Sequence, residues 1–228
     1  MENKIKISVG IPCWNQAQYL PEAIESVLNQ TYKPHEIWVC NDGSPDETRY
    51  VARQYPIKYI ETTNRGLASA RNTILMNSAP DTDFMLFLDS DDKLLENCLK
   101  VVSDTIENNP NADVVAPSFK EFGVRNNEIL LMSNPTIEDF KTANRIGYFS
   151  AIRKEALLEV GGYSPKMTYG YEDYHLWFNL LMRGKKITTI PEILILYRTK
   201  EKSMIHEAQT HHVELMAQIY KDFPRLSD

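Results

Sequence analysis

The apolar run Phe84-Met85-Leu86-Phe87-Leu88 leads directly into Asp89-Ser90-Asp91-Asp92. A short apolar run ending in clustered carboxylates reads as a buried strand that delivers acid groups to a sheet edge. Clustered carboxylate oxygens suit a hard divalent cation, magnesium or manganese, and such ions commonly complete their shell with substrate phosphates rather than protein alone. The cluster therefore predicts a phosphate-bearing substrate. A plainer explanation competes, because Asp89 or Asp92 could cap the following helix, whose residues Leu95, Leu99, Val102 and Ile106 recur at helical spacing. One cap needs one Asp, whereas this stretch holds three.

The elements that must position these groups alternate along the first half of the chain. Ile5, Ile7, Val9 and Ile11 alternate as a strand up to Pro12, and Leu20, Ile24, Val27 and Leu28 mark an amphipathic helix opening around Pro21-Glu22. A second apolar run, Ile37-Trp38-Val39-Cys40, ends in the turn cluster Asn41-Asp42-Gly43-Ser44-Pro45-Asp46 and leads into a short helix with Val51, Ala52 and Tyr55. Residues 57–60 predict a third strand, and 67–77 a helix after Asn64-Arg65-Gly66. Phe84–Leu88 and its helix make a fourth unit. Alternating strands and helices imply an α/β fold with a mostly parallel sheet, in which ligands bind outside the carboxyl ends of the strands. The segments Cys13-Trp14-Asn15, Asp42 and Asp89-Ser90-Asp91 all fall at such ends.

Beyond Ala112 the alternation weakens, which divides the chain into halves at 1–112 and 113–228 of one compact domain. Residues 114–122 are strand-like, and 129–132 pair back as a hairpin across a turn at 123–127. A short helix at 156–160 stops at Gly161-Gly162, and a longer one from Tyr174 stops at Gly184. Strands at 187–190 and 193–197 are separated by Pro191.

The chain has 228 residues, 43% hydrophobic and 25% charged, enough to bury a sizeable core. No apolar run approaches the roughly 18 residues of a membrane span, and the charged start lacks a signal peptide's apolar region, so a cytoplasmic location is expected. Cys13, Cys40 and Cys98 are odd in number and widely spaced, which predicts core thiols rather than a zinc site or disulfides. A net charge of −6 without a basic block argues against nucleic acid as a partner.

Five features carry a family likeness. They are Val9-Gly10-Ile11-Pro12-Cys13-Trp14-Asn15, Asn41-Asp42-Gly43-Ser44, the stretch from Asn64-Arg65-Gly66 to Ala70-Arg71-Asn72, Asp89-Ser90-Asp91, and Glu172-Asp173. Their order and spacing resemble the GT-A type nucleotide-sugar glycosyltransferases, in particular the large inverting family 2. By that resemblance Asp42 would accept a hydrogen bond from the nucleotide base, most often uracil, with backbone near Pro12 lining the same pocket. Arg71 would lie near the diphosphate. Asp91 would be the more direct metal ligand and Asp89 would face the ribose or the metal's water shell, with manganese or magnesium bridging the phosphates. Asp173 would be the base that takes the acceptor's proton, with Glu172 the competing carboxylate. Plainer roles stand beside these: a turn for Asp42, a solvated helix face for Arg71 and a helix cap for Asp173. Tyr169, Tyr171, Tyr174 and Trp177 offer flat faces to an acceptor sugar, although core packing explains aromatics equally well.

One departure stands out. Family members often carry a metal-binding His shortly after a Tyr-Arg pair, and here Tyr197-Arg198-Thr199 is followed by Lys200. A protonated ammonium ligates no metal, so Lys200 would instead neutralise diphosphate, and His206 is the nearest substitute ligand. His211 and His212 face different sides of any helix and make a poor metal pair. The resemblance implies a nucleotide-sugar donor and a glycan or lipid-linked acceptor. A relative that binds sugar nucleotides or glycans without turnover is the alternative. A glycoside hydrolase would explain the carboxylates but not the strand-end turns, and no G-x-G-x-x-G follows Ile11 to suggest a redox dinucleotide fold. A final helix spanning 205–223 packs on its own domain by default, with a homodimer contact or a peripheral contact at the inner membrane face left open.

Overall fold

The strands and helices alternate in the first half as predicted. In the computed structural model, which describes residues 4–201 and 208–227, β1 (Ile7–Cys13), β2 (Glu36–Asn41), β3 (Lys58–Glu61) and β4 (Phe84–Phe87) run parallel in the order β3-β2-β1-β4. Every residue of β1 and β4 is buried, because helices cover both faces of the sheet. The period of two sorts β4 between two cores: Phe84 and Leu86 join one, Met85 and Phe87 the other.

The first core lies under α1 (Leu20–Leu28), α2 (Thr48–Ala52) and α4 (Cys98–Asn108), through Ile24, Val27, Ala52, Leu99 and Val102. The second lies under α3 (Leu67–Asn77), α6 (Lys154–Glu159), α7 (Glu172–Met182) and α8 (His212–Asp222), through Ile74, Leu157, Leu176, Trp177 and Ile219. Each such aliphatic or aromatic side chain contributes roughly 1.5–3 kcal/mol by leaving water. α3 sits directly on β1, where a Cβ at Gly10 would stand 2.8 Å from Ile74 Cγ2. Only glycine permits that approach.

The second half extends the same sheet. β8 (Ala151–Arg153) pairs antiparallel with β4 and with β6 (Val114–Gly123), and β9 (Ile187–Thr199) pairs parallel with β6. β5 (Lys93–Leu94) closes the edge on β9, and β7 (Glu128–Ile129) forms a hairpin with β6 as expected, but over two residues rather than through 129–132. The two strands expected around Pro191 are one strand. Ile190 pairs with Pro117 and Ile193 with Ser118, so Pro191 and Glu192 bulge outward. A bulge accommodates a residue that has no N–H for the ladder.

Other differences are local. α7 begins at Glu172, two residues before the expected start, and α5 (Ile137–Thr142) has no counterpart in the sequence reading. It is held by a capping box between Thr136 and Asp139. α4 starts after Asn97, beyond β5, so neither Asp89 nor Asp92 caps it. The cysteines are buried free thiols. Leu215 and Ile219 turn α8 inward, as the default packing required. His206 lies outside the described residues. Among those described, no helix is long and apolar enough to cross a membrane.

Candidate active site

The carboxyl ends of β1, β2 and β4 open into a cavity of about 510 Å³ whose walls include Pro12, Asp42, Gly66, Asp89, Asp91, Glu172 and Lys200. Asp42 builds part of that wall. Its Oδ1 accepts the Thr62 hydroxyl (2.9 Å) and the Arg65 N–H (3.0 Å), and its Oδ2 accepts the Gly66 N–H (2.8 Å). The carboxylate therefore ties the loop before α3 to the end of β2, and satisfies donors that the helix start would otherwise leave free. The turn role is real, although the loop Asp42 holds belongs to the next βα unit rather than its own.

The acidic motif is divided among three partners. Arg71 is fully buried and donates from Nη2 to Asp89 Oδ1 (2.8 Å) and from Nη1 to Glu172 Oε1 (2.6 Å). Tyr148 and Tyr163 hold its guanidinium between their rings, 4.8 and 5.2 Å from the centroids. Arg71 thus neither sits on a solvated helix face nor lines the cavity where a diphosphate would lie. It crosslinks the end of β4 to the start of α7. Burial raises the Asp89 carboxyl to about 6 against the pull of Arg71, with Asp91 adding to the rise.

Asp91 pairs with Lys200, Oδ2 to Nζ at 2.5 Å. Asp92 is buried, accepting the Tyr148 hydroxyl on Oδ2 and the Arg198 N–H on Oδ1 (2.6 Å). Arg198 also donates from Nε to the Asp91 carbonyl (2.8 Å). Asp92 is therefore a structural clamp between the motif and the end of β9.

The start of α7 is set by two left-handed residues, Gly170 (φ 121°) and Tyr171 (φ 62°). A tyrosine in this region is uncommon, and such strain persists only where surrounding contacts enforce it. The Tyr171 hydroxyl bonds His212 Nδ1 (2.9 Å), and Tyr169 stacks on His211 with centroids 4.0 Å apart. The two histidines thus have separate partners. Glu172 turns inward to Arg71 and the cavity, whereas Asp173 is half-buried, with Oδ2 accepting the Asn144 amide (2.9 Å) and Oδ1 the Tyr174 N–H (2.7 Å). Burial, then the adjacent Glu172 charge, raises the Asp173 carboxyl to about 7, while Arg71, Asn144 and the Tyr174 N–H pull it down. A carboxyl near neutrality can take a proton and give it back.

Trp177 corrects an expectation. It is fully buried among Leu176, Phe178 and the second core, so it offers no face to an acceptor. The sequence reading also missed Asn144, Tyr148, Tyr163 and Arg198 as parts of this site. Arg198 stands in the Tyr197-Arg198 pair of the sequence without a role of its own, and the other three carry no local signal, since each acts through a partner far along the chain.

As arranged, the described residues do not make a resident metal site. Asp89 is committed to Arg71, Asp91 to Lys200 and Asp92 to Tyr148 and Arg198. No group of three His, Cys, Asp or Glu side chains among the described residues is placed to hold an ion. The manganese or magnesium expected at Asp89 and Asp91 does not fit this donor set.

Comparison with known proteins agrees with this geometry. A glycosyltransferase of Rickettsia typhi, uncharacterised beyond that description, is 32% identical over 92% of this chain and 67% of its own length. A putative glycosyltransferase of Bacillus subtilis, EpsE, is 29% identical over 99% of this chain and 84% of its own. Among solved structures, TarS of S. aureus in complex with UDP-GlcNAc superposes with a TM-score of 0.79 at 20% identity, covering 94% of this chain. This chain spans 65% of that TarS chain, or about two thirds of it. Residues 8–170, which run from β1 through the acidic motif to the turn before Glu172, match the family described as Glycosyl transferase family 2. The likeness to TarS gives the fold and the family match gives the class of enzyme: the chain belongs to glycosyltransferase family 2 and has the GT-A fold.

Proposed function

We propose that this glycosyltransferase moves a sugar from a nucleotide-diphosphate donor, UDP-linked, to a hydroxyl of a glycan or lipid-linked acceptor, with inversion at the anomeric carbon. The observation that carries the reading is Asp173, a half-buried carboxyl raised to about 7 at the start of α7, next in the chain to Glu172, which lines the cavity together with Asp42, Asp91 and Lys200. Solved TarS structures hold UDP-GlcNAc and UDP on the same fold, which supports a UDP-linked donor.

In this reading residues 1–112 hold the donor with the help of Lys200, and the rest of 113–228 holds the acceptor. The base lies near Asp42 and Pro12, and the diphosphate near Asp91 and Lys200. The acceptor hydroxyl gives its proton to Asp173 as its oxygen bonds the anomeric carbon, and the bond from that carbon to the diphosphate oxygen breaks on the opposite face. A single displacement inverts the centre. The departing diphosphate carries the charge of the broken bond, which positioned cations and helix N–H groups stabilise without a proton donor. Glu172, held by Arg71, keeps the helix start in register with the acidic motif. Tyr171, at the N-cap of α7 with its hydroxyl on His212, is the aromatic residue next to Glu172 and Asp173 that would contact the acceptor.

The test is a panel of nucleotide sugars, measuring binding by calorimetry and then donor hydrolysis and transfer. Binding of a uridine-linked donor, with hydrolysis lost in Asp173→Asn, is expected. A folded protein that binds no nucleoside diphosphate or nucleotide sugar refutes the reading.

A further inference from the structure

We propose that Lys200 is a built-in counter-cation for the donor's diphosphate, standing where a divalent ion would otherwise sit, so that this enzyme holds its nucleotide without metal. The inference rests on the nucleotide-diphosphate reading above and adds the group that neutralises the phosphates.

The ammonium stands 2.5 Å from Asp91 Oδ2, and both side chains line the cavity. A metal bound at Asp91, whichever carboxylate oxygen it takes, must lie close to that ammonium and so repel or displace it. Asp89 compensates only in part, because its Oδ1 already accepts from the buried Arg71. A hard cation arriving here meets two carboxylates, each already paired with a basic side chain.

Lys200 is also placed with care, which a stray surface lysine would not be. The last residues of β9 are fixed on two sides. The Arg198 N–H donates to Asp92 Oδ1 (2.6 Å) and its Nε to the Asp91 carbonyl (2.8 Å). The Thr199 hydroxyl donates to the Phe122 carbonyl (3.0 Å) and accepts the Arg125 N–H (2.7 Å). Lys200 therefore leaves the sheet from a backbone anchored to the acidic motif itself, and the Tyr19 ring lies beneath both Arg198 (4.6 Å) and Lys200 (5.3 Å). The guanidinium of Arg198 is spent on the Asp91 carbonyl and on Glu22 (3.1 Å), whereas Lys200 has, among the described residues, a single carboxylate partner. An ammonium carries three donors on a flexible stem and binds phosphate as a point charge. Lys200 can keep one N–H on Asp91 and turn the others to diphosphate oxygens, holding the leaving group's charge without a metal.

The experiment measures UDP binding to the full chain by calorimetry, once with EDTA and once with excess manganese, with GDP and dTDP as further probes. Wild-type affinity is expected to agree within about threefold between the two buffers, a difference of well under one tenfold step in free energy. In EDTA, Lys200→Met should weaken binding by about ten- to a hundredfold, the loss of one charge-assisted hydrogen bond, and Lys200→Arg should restore most of it. Lys200→Met should gain affinity when manganese is added, because Asp91 is then free to take the ion. Melting curves in the absence of nucleotide should show all three proteins folded, with any loss in Lys200→Met recovered in Lys200→Arg. Wild-type binding that requires manganese overturns the proposal, as does Lys200→Met binding as tightly as wild type in EDTA. Folded wild type that binds none of the diphosphates in either buffer overturns the donor reading itself, and this inference with it.

Discussion

Arg71→Met removes a cation that is fully buried and joins two carboxylates from distant parts of the chain, Asp89 at 2.8 Å and Glu172 at 2.6 Å. If Arg71 were a solvated helix residue, the change would alter stability by no more than about 0.5 kcal/mol. Breaking a buried pair by deleting one partner instead costs about 3–5 kcal/mol, because the remaining charge stays desolvated. Glu172 is nearly as buried as Arg71, but Asp89 keeps a quarter of its side chain in contact with solvent (26%), so the lower part of that range applies to its share. For a domain of this size each kcal/mol moves the melting temperature by about 2–4 °C, which puts the loss at about 6–20 °C. The loss should also depend on pH. Asp89 is raised to about 6 even with Arg71 beside it, and without the cation it titrates higher still in the folded variant than in the unfolded chain, so the folded state binds more protons and stability falls as pH rises. Scanning calorimetry at about pH 5.5 and about pH 8 should therefore show a smaller deficit at the acid end. A melting temperature within about 3 °C of wild type at both values, or a larger deficit in acid, would refute the crosslinking role.

Asp173→Asn is expected to keep the fold and donor affinity, since residue 173 lies inside the first turn of α7 rather than at its N-cap, Tyr171, and an Asn Oδ1 can still accept the Tyr174 N–H, while transfer falls by about a hundredfold to ten-thousandfold. With the wild-type carboxyl raised to about 7, the transfer rate should climb with pH through about 7 and then level off, and a profile already flat from about pH 5 would place the base elsewhere. Asp92→Ala should act through stability rather than the start of α4, costing about 1–3 kcal/mol in urea unfolding because the Tyr148 hydroxyl and the Arg198 N–H lose their acceptor. Tyr148→Phe in the same assay should cost less than Asp92→Ala, and a neutral Asp92→Ala would remove the clamp. Trp177→Ala should lower stability by about 3–5 kcal/mol, whereas Trp177→Phe should leave the acceptor KM unchanged in a transfer assay. A raised KM in a stable Trp177→Phe protein would return that residue to the acceptor site.

The elements that proved legible are those whose signals are local. α3 runs over Leu67–Asn77 as its helix formers indicated, and β4 follows its apolar run, because propensity and period act within one turn or one strand. Pro191 misled for the opposite reason: a bulge against Pro117 and Ser118 on a strand over seventy positions away kept β9 continuous. Arg71 did carry a usable signal. It lies three positions after Ala68 and four before Leu75, on the face of α3 that is buried, and an arginine on such a face must have anionic or aromatic company. Which company could not be read, since Glu172 lies 101 positions further on and the two tyrosines belong to other loops. Asn144 carried no signal at all, being an exposed loop residue that matters only because α5 and α7 bring it to Asp173. The acidic motif shows why residue type alone misassigns chemistry. Three carboxylates in four positions suggest metal ligation, yet the fold gives Asp89 a guanidinium, Asp91 an ammonium, and Asp92 a phenol and a backbone N–H. A carboxylate's role is decided by the partners that the tertiary structure has already given it, so counting acids in a motif sets only an upper bound on the cations left for it to bind.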